Sequence, residues 1–357
     1  MMTGALPTPT LDAVPAAVPV PRTGPARTDG LRLEELLDVG AAFVTTEYAS
    51  LTRAGAPVTA PVTPYRSAGT LDVSTGLTYP LKAERARRDP RVTLSFSDPT
   101  GSGLADAPVL VVKGLATVRD ADLVATSRRY LAASRARFPG AYEGVPAFVL
   151  RRMAWYWARV WVDVTPVEAL WWADGDLGRA PLVWRDPTVA APPSDPAPTG
   201  PNRATWGSPP PAWEPRAAQA VEELGLPVLT LVDGDGWPLP LRTQAARRTA
   251  SGFELELPVL PEGVAVAGGP ACLTFHHHAA DMEHQENLVL VGVASVGGDG
   301  VVHLEVERSL TDLSIPPGRV RSILNLVRTG RALRPHLAAE AARRGQAVPT
   351  YEEVGPG

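Results

Sequence analysis

The sequence predicts a mainly β fold that contains the same antiparallel module twice. Short segments rich in Val, Leu and Thr recur with turns between them, and helical patterns are few. This spacing favours an antiparallel barrel or sandwich over a parallel α/β sheet. The chain has 357 residues, which is enough for two domains of ordinary size. Landmarks of the first half return in the second half, as an internal duplication predicts.

The duplication rests on five landmarks that keep their order along the chain. They are a helical pattern, a Gly-x-Pro turn and three strand-like segments. In the first half they occupy residues 33–37, 55–57, 70–74, 92–96 and 111–116. In the second half they return at residues 220–224, 236–238, 252–256, 271–275 and 289–294. One such match arises easily by chance, whereas five in a fixed order indicate a copied module.

Proline sets the predicted boundaries, because the 38 prolines are concentrated at the N-terminus and in the middle of the chain. Proline-rich stretches form neither helix interiors nor central strands, and they favour extended geometry. We therefore predict a disordered leader at 1–30, a first barrel at 31–185 and a linker at 186–215. Residues 216–357 form the predicted second, degenerate barrel with C-terminal helices.

Composition excludes several classes of protein. No apolar stretch is long enough to span a membrane, and the N-terminus lacks the basic and continuous apolar parts of a secretory signal. The single cysteine, Cys272, excludes an internal disulfide and fits a reducing compartment. With a net charge of -4, the chain lacks the excess of basic residues that is typical of nucleic-acid-binding proteins. We expect a cytoplasmic protein whose partner is a small-molecule substrate, not a membrane or a nucleic acid.

Two regions outside the repeated strands have helical patterns, residues 121–137 and residues 317–345, and the second is expected to break near Pro335. Between them, tryptophans alternate from Trp155 onward, which predicts one long strand over residues 155–172. Tryptophans on one strand face are typical of interface or core packing. A stacking wall for a flat ligand is the alternative.

A histidine-rich segment in the second half is the densest group of metal-binding residue types. It consists of His276, His277, His278, Asp281, Glu283 and His284. Consecutive residues of a strand point to opposite faces, so at most two of the first three histidines can act together. We interpret the segment as a polar strand end and assign no metal ligands. A metal or haem role, and a role in lining a groove, remain alternatives.

The most specific motif of the first half is a lysine, a short helical segment and an Arg-Asp-Pro-Arg-Val sequence that leads into a strand, residues 82–96. Strand-like segments precede it at 42–46, 58–62 and 71–75, and others follow at 109–116 and 159–166. This ordered set resembles the pyridoxamine 5'-phosphate oxidase-like family of FMN-binding split β-barrels. The resemblance covers residues 31–175 and implies two tandem split β-barrels of antiparallel, Greek-key type.

The residue types of the motif suit a phosphate, which is bound by hydroxyl donors, a cation and free backbone amides. Lys82 begins a predicted helix, whose N-terminal amides also favour an anion. The hydroxyls of Ser74 and Thr75 end a strand and are expected to face one mouth of the barrel. Of the two lysines in the chain, Lys113 is expected to be an ordinary strand residue.

The family resemblance implies which residues bind the cofactor. Four would hold the phosphate of FMN, namely Ser74, Thr75, Lys82 and Arg85. Three would line the isoalloxazine ring with their backbone, namely Thr59, Ala60 and Pro61. The sequence identifies no catalytic residue.

The second half lacks the phosphate motif, because residues 257–269 contain no cation and a single acid, Glu262. Proteins of the resembled family are typically dimers with the cofactor in a groove between two barrels. We therefore expect the two halves to pack as a pseudo-dimer within one chain and to form one cofactor site. Further dimerisation is left open.

The expected function is that of a flavoprotein, an FMN-dependent oxidoreductase that acts on a small organic substrate. One alternative is an F420-dependent reductase, in which Arg87, Arg88 and Arg91 would contact the longer anionic tail of that cofactor. The other alternative is a non-catalytic protein that binds a flavin, haem or another flat ligand.

Overall fold

The computed structural model describes residues 30–142, 145–201, 212–297, 300–310, 314–315 and 319–355, with the backbone alone over 319–326. These residues form two antiparallel sheets and a small number of helices. The helices are α1 (Leu33–Ala42), α2 (Leu81–Arg88), α3 (Leu123–Arg137), α4 (Ala147–Arg152), α5 (Ala154–Trp157), α6 (Trp213–Glu223), α7 (Arg319–Arg343) and α8 (Tyr351–Val354).

The first sheet contains eight strands. They are β1 (Thr46–Leu51), β2 (Pro57–Val62), β3 (Tyr65–Ser67), β4 (Thr70–Gly76), β5 (Arg91–Phe96), β6 (Val109–Arg119), β7 (Arg159–Trp172) and β8 (Leu182–Arg185). The second sheet contains seven strands. They are β9 (Val228–Val232), β10 (Pro238–Arg242), β11 (Ala245–Arg248), β12 (Gly252–Glu256), β13 (Gly269–His278), β14 (Gln285–Val296) and β15 (Val301–Leu310).

The two sheets have the same topology. The first has the order β2-β1-β5-β6-β7-β4-β3, with β8 beside β7, and the second has the order β10-β9-β13-β14-β15-β12-β11. Each strand of the second sheet thus occupies the place of the strand whose number is eight lower, so that β9 corresponds to β1 and β15 to β7. The predicted fold class, mainly β with two tandem barrels, is confirmed.

The repeat extends to an irregularity inside the sheets. The ladder between β6 and β7 shifts register at Lys113/Gly114, and the ladder between β14 and β15 shifts at Val291/Gly292. A Cβ atom on Gly114 would lie 2.5 Å from Val164 Cγ1, and one on Gly292 would lie 1.9 Å from the carbonyl oxygen of Glu305. Both bulges therefore need glycine, because the neighbouring strand approaches too closely for any side chain.

The two sheets pack through matching strands. The strand β2 contacts β9, β13 and β14, and the equivalent strand β10 contacts β1, β5 and β6. Reciprocal contacts of this kind are the mark of a two-fold interface. Here the interface joins two parts of one chain.

The helices break this symmetry. The helix α3 connects β6 to β7, as the helical pattern over 121–137 predicted, whereas β14 and β15 follow each other closely. The helix α7 runs through Pro335 without the predicted break. Although α7 follows the second barrel in sequence, Leu333, Leu337 and Ala341 are buried and the last two belong to the core of the first barrel.

The tryptophan-rich region differs from its prediction as one strand. Residues 154–157 form the short helix α5, and the strand β7 begins only at Arg159. Trp155 and Trp157 are nevertheless buried, and the indole Nε1 of Trp157 donates to the carbonyl of Leu150 at 2.8 Å. The alternation pattern failed here because a helical turn also buries apolar residues that are close in sequence.

The predicted leader lies outside the described residues except for Gly30, and residues 202–211 of the predicted linker lie outside them as well. Residues 186–201 contain neither helix nor strand and run along the first barrel. The carboxylate of Asp195 accepts hydrogen bonds from the backbone N–H groups of Asp120 and Ala121, both at 2.8 Å.

Among the described helices, none combines the length and apolar character needed to cross a bilayer.

Candidate functional site

The helix α2 carries the predicted lysine and is positioned by the end of β4. Its eight residues bury Ala83 and Ala86 against the first core. With 3.6 residues per turn, Lys82 and Arg85 share one flank of this buried stripe, and Glu84 and Arg87 share the other. The helix therefore presents two cations on one side and a mixed pair on the opposite side.

Lys82 and Arg85 form the cationic flank, and both are half-buried. Within the described residues neither has a hydrogen-bond acceptor or an ion-pair partner. Burial, together with the nearby charges of Arg85 and Arg159, lowers the pKa of Lys82 to about 8. Burial also lowers the pKa of Arg85. Two cations without a counter-charge in a partly buried place favour the binding of an anion there.

Arg159 is a third cation at this place, and sequence reasoning did not identify it. It begins β7 opposite Gly76, the last residue of β4. Its guanidinium lies 4.3 Å from the ring centroid of Tyr130 and 5.0 Å from that of Tyr156, and it donates to the Tyr130 hydroxyl at 3.1 Å. Its Nε is buried without a partner among the described residues. The tyrosine faces offset its charge only in part.

Ser74 and Thr75 are neighbours on β4, so their side chains point to opposite faces of the sheet. Thr75 is buried, and its hydroxyl donates to the carbonyl of Tyr79 at 3.1 Å. That bond stabilises the turn before α2. Ser74 is half-buried and lies on the face that Gly76 and Arg159 share. The structure thus brings Ser74, but not the hydroxyl of Thr75, to the side of the third cation.

The predicted ring-lining strand, β2, lies on the interface between the barrels. The N–H of Thr59 donates to Cys272 Sγ at 3.4 Å, and its hydroxyl oxygen lies 2.5 Å from that of Thr230. Pro61 pairs with Glu47 and Ala60 with Tyr48 in the register of β1 and β2. The side of Thr59 and Pro61 therefore faces the second barrel.

The region between the cationic flank of α2 and strand β2, against which β13 and β14 of the second barrel pack, is here named the open groove. Arg85 interacts electrostatically with Cys272 across it and with the Tyr48 hydroxyl from the first barrel. The Tyr48 hydroxyl is buried and has no hydrogen-bond partner among the described residues. On β14, burial decreases from Val289 to Val293, which is 47% exposed. The groove thus combines cations with an accessible apolar wall.

The equivalent space on the other side of the interface is filled by the chain itself. The apolar residues of 257–266 pack there on both sheets. They are Leu257, Leu260, Val264 and Val266, and they contact a cluster of Val109, Val111, Leu170, Trp172, Leu239 and Leu241. The N–H of Val259 donates to the carbonyl of Leu177 at 2.9 Å. This second groove is closed and contains no counterpart of α2.

Lys113 lies in strand β6 beside the closed groove, so it is a strand residue as predicted, but it is not an ordinary one. Its ammonium is 2% exposed and lies 2.8 Å from Glu168 Oε1 and 2.5 Å from Asp233 Oδ2. Arg185 Nε contacts the other oxygen of Glu168 at 2.5 Å. Burial alone would raise the pKa of Glu168, but Lys113 and Arg185 outweigh burial and lower it. Lys113 therefore ties the two barrels together through a buried ion pair.

The histidine-rich segment belongs to the same interface. His276 Nε2 lies 2.7 Å from Glu47 Oε1, which also accepts from the Ser97 hydroxyl at 2.7 Å. His278 Nε2 lies 3.6 Å from Asp98 Oδ2, and burial lowers the pKa of His278. His277 between them is exposed, as strand alternation predicted. No three residues of the metal-binding types converge anywhere in the described parts of the chain.

No protein-family model matches this chain, and no curated protein matches it. Solved structures do resemble it. A protein related to general stress protein 26, of the pyridoxinephosphate oxidase family, from Clostridium acetobutylicum is 11% identical over 43% of this chain and 96% of its own, with a TM-score of 0.30.

Two further solved structures have different descriptions. One is called an F420 reductase and is 21% identical over 38% of this chain and 94% of its own, with a TM-score of 0.29. The other is an FAD-binding protein from Mesorhizobium loti, which is 17% identical over 39% of this chain and 92% of its own, with a TM-score of 0.27. Each match spans the length of about one barrel. Part of this chain is similar to these structures, and its own sheet topology shows two barrels in tandem.

Proposed function

We propose that this chain binds one molecule of FMN in the open groove and uses it to oxidise or reduce a small organic molecule. The observation that carries the proposal is the cluster of Lys82, Arg85 and Arg159. These cations are half-buried, and none of them has a carboxylate partner among the described residues. A phosphate dianion would compensate them with charge-assisted hydrogen bonds.

The contrast with the other buried arginines supports a ligand. Arg87, for example, lies 2.7 Å from Asp120 Oδ1, and Arg185 lies 2.5 Å from Glu168. Arg137 and Arg242 are also half-buried without a carboxylate partner among the described residues, but each stands apart, whereas Lys82, Arg85 and Arg159 act on one another at a single place. Unpaired buried charge is destabilising, so a group of three such cations is typical of a binding site.

The surroundings favour a compact phosphate over the longer anionic tail of F420. Arg91 forms two contacts with Asp89, at 2.9 Å and 2.7 Å, and is therefore compensated. Arg87 is engaged with Asp120, and Arg88 donates to the carbonyl of Leu51 at 3.3 Å. Two of the three arginines that an extended tail would need are thus paired with carboxylates, and the unpaired Lys82, Arg85 and Arg159 act on one another at a single place.

Bound FMN would supply the hydride or electron transfer itself. The residues of this chain would do three things. Lys82, Arg85 and Arg159 would hold the phosphate. The packed strands β2 and β13 would form the floor against which the ring is oriented. The apolar face of β14 would limit the access of water to the groove.

The test is a binding experiment with purified protein and three candidate cofactors: FMN, riboflavin and F420. We expect FMN to bind with a flavin absorbance spectrum and to bind more tightly than riboflavin, which lacks the phosphate. In Lys82→Ala the FMN affinity should fall by at least about tenfold, because one charge-assisted hydrogen bond contributes about 1.5–3 kcal/mol. Arg88→Ala is the matched control, since Arg88 is an exposed cation of the same helix.

Several outcomes would contradict the proposal. Equal FMN affinity in Lys82→Ala and in the parent protein would reject the phosphate assignment. Binding of F420 alone would favour an F420-dependent reductase. A protein that holds FMN but never exchanges electrons with a small molecule would be a flavin-binding protein without redox activity.

A further inference from the structure

The second flank of α2 belongs to a buried charge network that reaches the end of α7. Arg87 Nη2 contacts Asp120 Oδ1 at 2.7 Å, and Arg344 Nε contacts Asp120 Oδ2 at 2.8 Å. Glu84 Oε1 lies 3.3 Å from Arg343 Nη1 and 3.7 Å from Arg344 Nη2. Helix α2 and the end of α7 are thereby joined through charged side chains.

Glu340 completes the network from within α7. Its Oε2 lies 2.6 Å from Arg343 Nη1 and 2.8 Å from Arg344 Nη1. Six members result, three carboxylates and three guanidinium groups, so the charges balance. The carboxylates of Asp120 and Glu340 are each 2% exposed, and Arg344 is 3% exposed. Removal of one member would leave a buried charge unpaired.

Apart from the turn that Thr75 stabilises and the contact of Arg88 with the Leu51 carbonyl, few side-chain contacts fix the position of α2. The helix has eight residues, which is below the length at which an isolated helix is stable in water. Its N-cap position is Pro80, with no capping hydrogen bond from a side chain, and it buries only the small side chains of Ala83 and Ala86. Small apolar side chains allow a helix to slide or rotate at low cost. The ion pairs of Glu84 and Arg87 are therefore the main directional contacts that hold its orientation.

The end of α7 is itself anchored to the first barrel. The side chain of Gln346 accepts from the N–H of Leu123 at 2.7 Å and donates to the carbonyl of Asp120 at 2.8 Å. The carbonyl of Arg343 accepts the N–H of Thr199 at 3.0 Å. These hydrogen bonds thus hold the end of α7, and with it the charge network, against the first barrel on the side away from the groove.

We propose that Arg344 and Glu340 are positioning residues for the cofactor phosphate: through Glu84 and Arg87 they hold α2 so that Lys82 and Arg85 face the open groove. This inference rests on the proposed function of that groove. It assigns to the end of α7 a role in ligand affinity, although Glu340 and Arg344 contact the flank of α2 that faces away from the groove. A helix from the end of the chain thereby completes a binding site that was predicted from its first half alone.

The first test compares two ligands that differ only by the phosphate. In Arg344→Met we expect the affinity for FMN to fall more than tenfold, whereas the affinity for riboflavin stays within twofold of the parent protein. General destabilisation would weaken both ligands together, so the ratio separates positioning from folding. Arg344→Lys keeps a charge and should recover part of the ratio. Arg151→Met, which removes an exposed ion pair with Glu352, is the matched control and should change neither affinity.

The second test needs no flavin. The chain has two lysines, so reductive methylation with 13C-formaldehyde gives at most two lysine signals in an NMR spectrum. In the parent protein the Lys82 signal should titrate near pH 8. In Arg344→Met, release of α2 toward solvent should move that titration to higher pH by more than half a unit. Arg151→Met should leave it in place.

The two tests separate the inference from the proposed function. If the parent protein binds no FMN but the Lys82 titration moves in Arg344→Met, the proposed function fails and the positioning network stands. If both the FMN-to-riboflavin ratio and the Lys82 titration stay unchanged, the inference is overturned. Should Arg344→Met not fold, Glu84→Gln removes the longest and most exposed contacts of the network and must give the same direction of change.

Discussion

At the scale of single residues, the two lysines of the chain have opposite electrostatic surroundings. Lys113 has two carboxylates within 2.8 Å and joins the barrels beside the closed groove. Lys82 has two arginines for neighbours and no carboxylate in the described residues. The first lysine is satisfied by the protein itself, and the second is suited to an external anion.

The charge state of Lys82 leads to a pH dependence with a defined sign. Its pKa of about 8 in the folded protein lies below the ordinary 10.5, so the unfolded chain binds more protons and the stability contribution of this group rises between those two pH values. Phosphate binding requires the ammonium form, so FMN affinity should fall as the pH rises through about 8. Fluorescence titration of FMN between pH 7 and 9.5 measures this effect.

Lys82→Met provides the control for this pH profile. Its affinity should be low and nearly independent of pH over the same interval, because the titrating group is gone. A parent protein whose affinity stays constant up to pH 9.5 would show that Lys82 does not contact the bound anion.

At the scale of secondary-structure elements, α7 depends on one close contact with α5. A Cβ atom on Gly330 would lie 2.6 Å from the indole Nε1 of Trp155. The glycine thus lets the long helix approach the tryptophan, at the cost of a residue that disfavours helices. Close packing at this point sets how α7 crosses the first barrel.

The substitution Gly330→Ala tests this contact. Alanine raises helix propensity by about 1 kcal/mol, but overpacking against Trp155 costs about 1–3 kcal/mol. We expect a net loss of stability and a lower midpoint in thermal unfolding. The neighbouring residue supplies the control, since Arg331 is exposed and Arg331→Ala changes helix propensity little. A higher midpoint for Gly330→Ala would mean that α7 does not pack as described.

At the scale of the whole molecule, the two barrels share a topology but not a function in binding. One groove is bordered by unpaired cations, and the other is filled by Leu257, Leu260, Val264 and Val266. We therefore expect one FMN per chain at saturation, measured by absorbance against protein concentration or by native mass spectrometry. A ratio near two would show that the apolar segment moves aside and that the second groove also binds.

The sequence was sufficient for the repeated topology because the landmarks of each barrel are local and recur in the same order. It was insufficient for contacts between distant residues. The partners of Lys113 lie in β7 and in the turn after β9, and Arg159 meets Lys82 only after β4 and β7 pair. The pairing of Arg344 with Asp120 likewise joins residues more than two hundred positions apart. Patterns within a short stretch of sequence do not show which distant residues come into contact.

The return of α7 to the first barrel also has a consequence for synthesis on the ribosome. Residues 31–185 emerge first, yet Leu337 and Ala341, which help to close their core, emerge about 150 residues later. At about 5–20 residues per second, the nascent first barrel waits roughly eight to thirty seconds for these helix residues. During that time its apolar surface is available to chaperones, and the second barrel is synthesised before the first is complete.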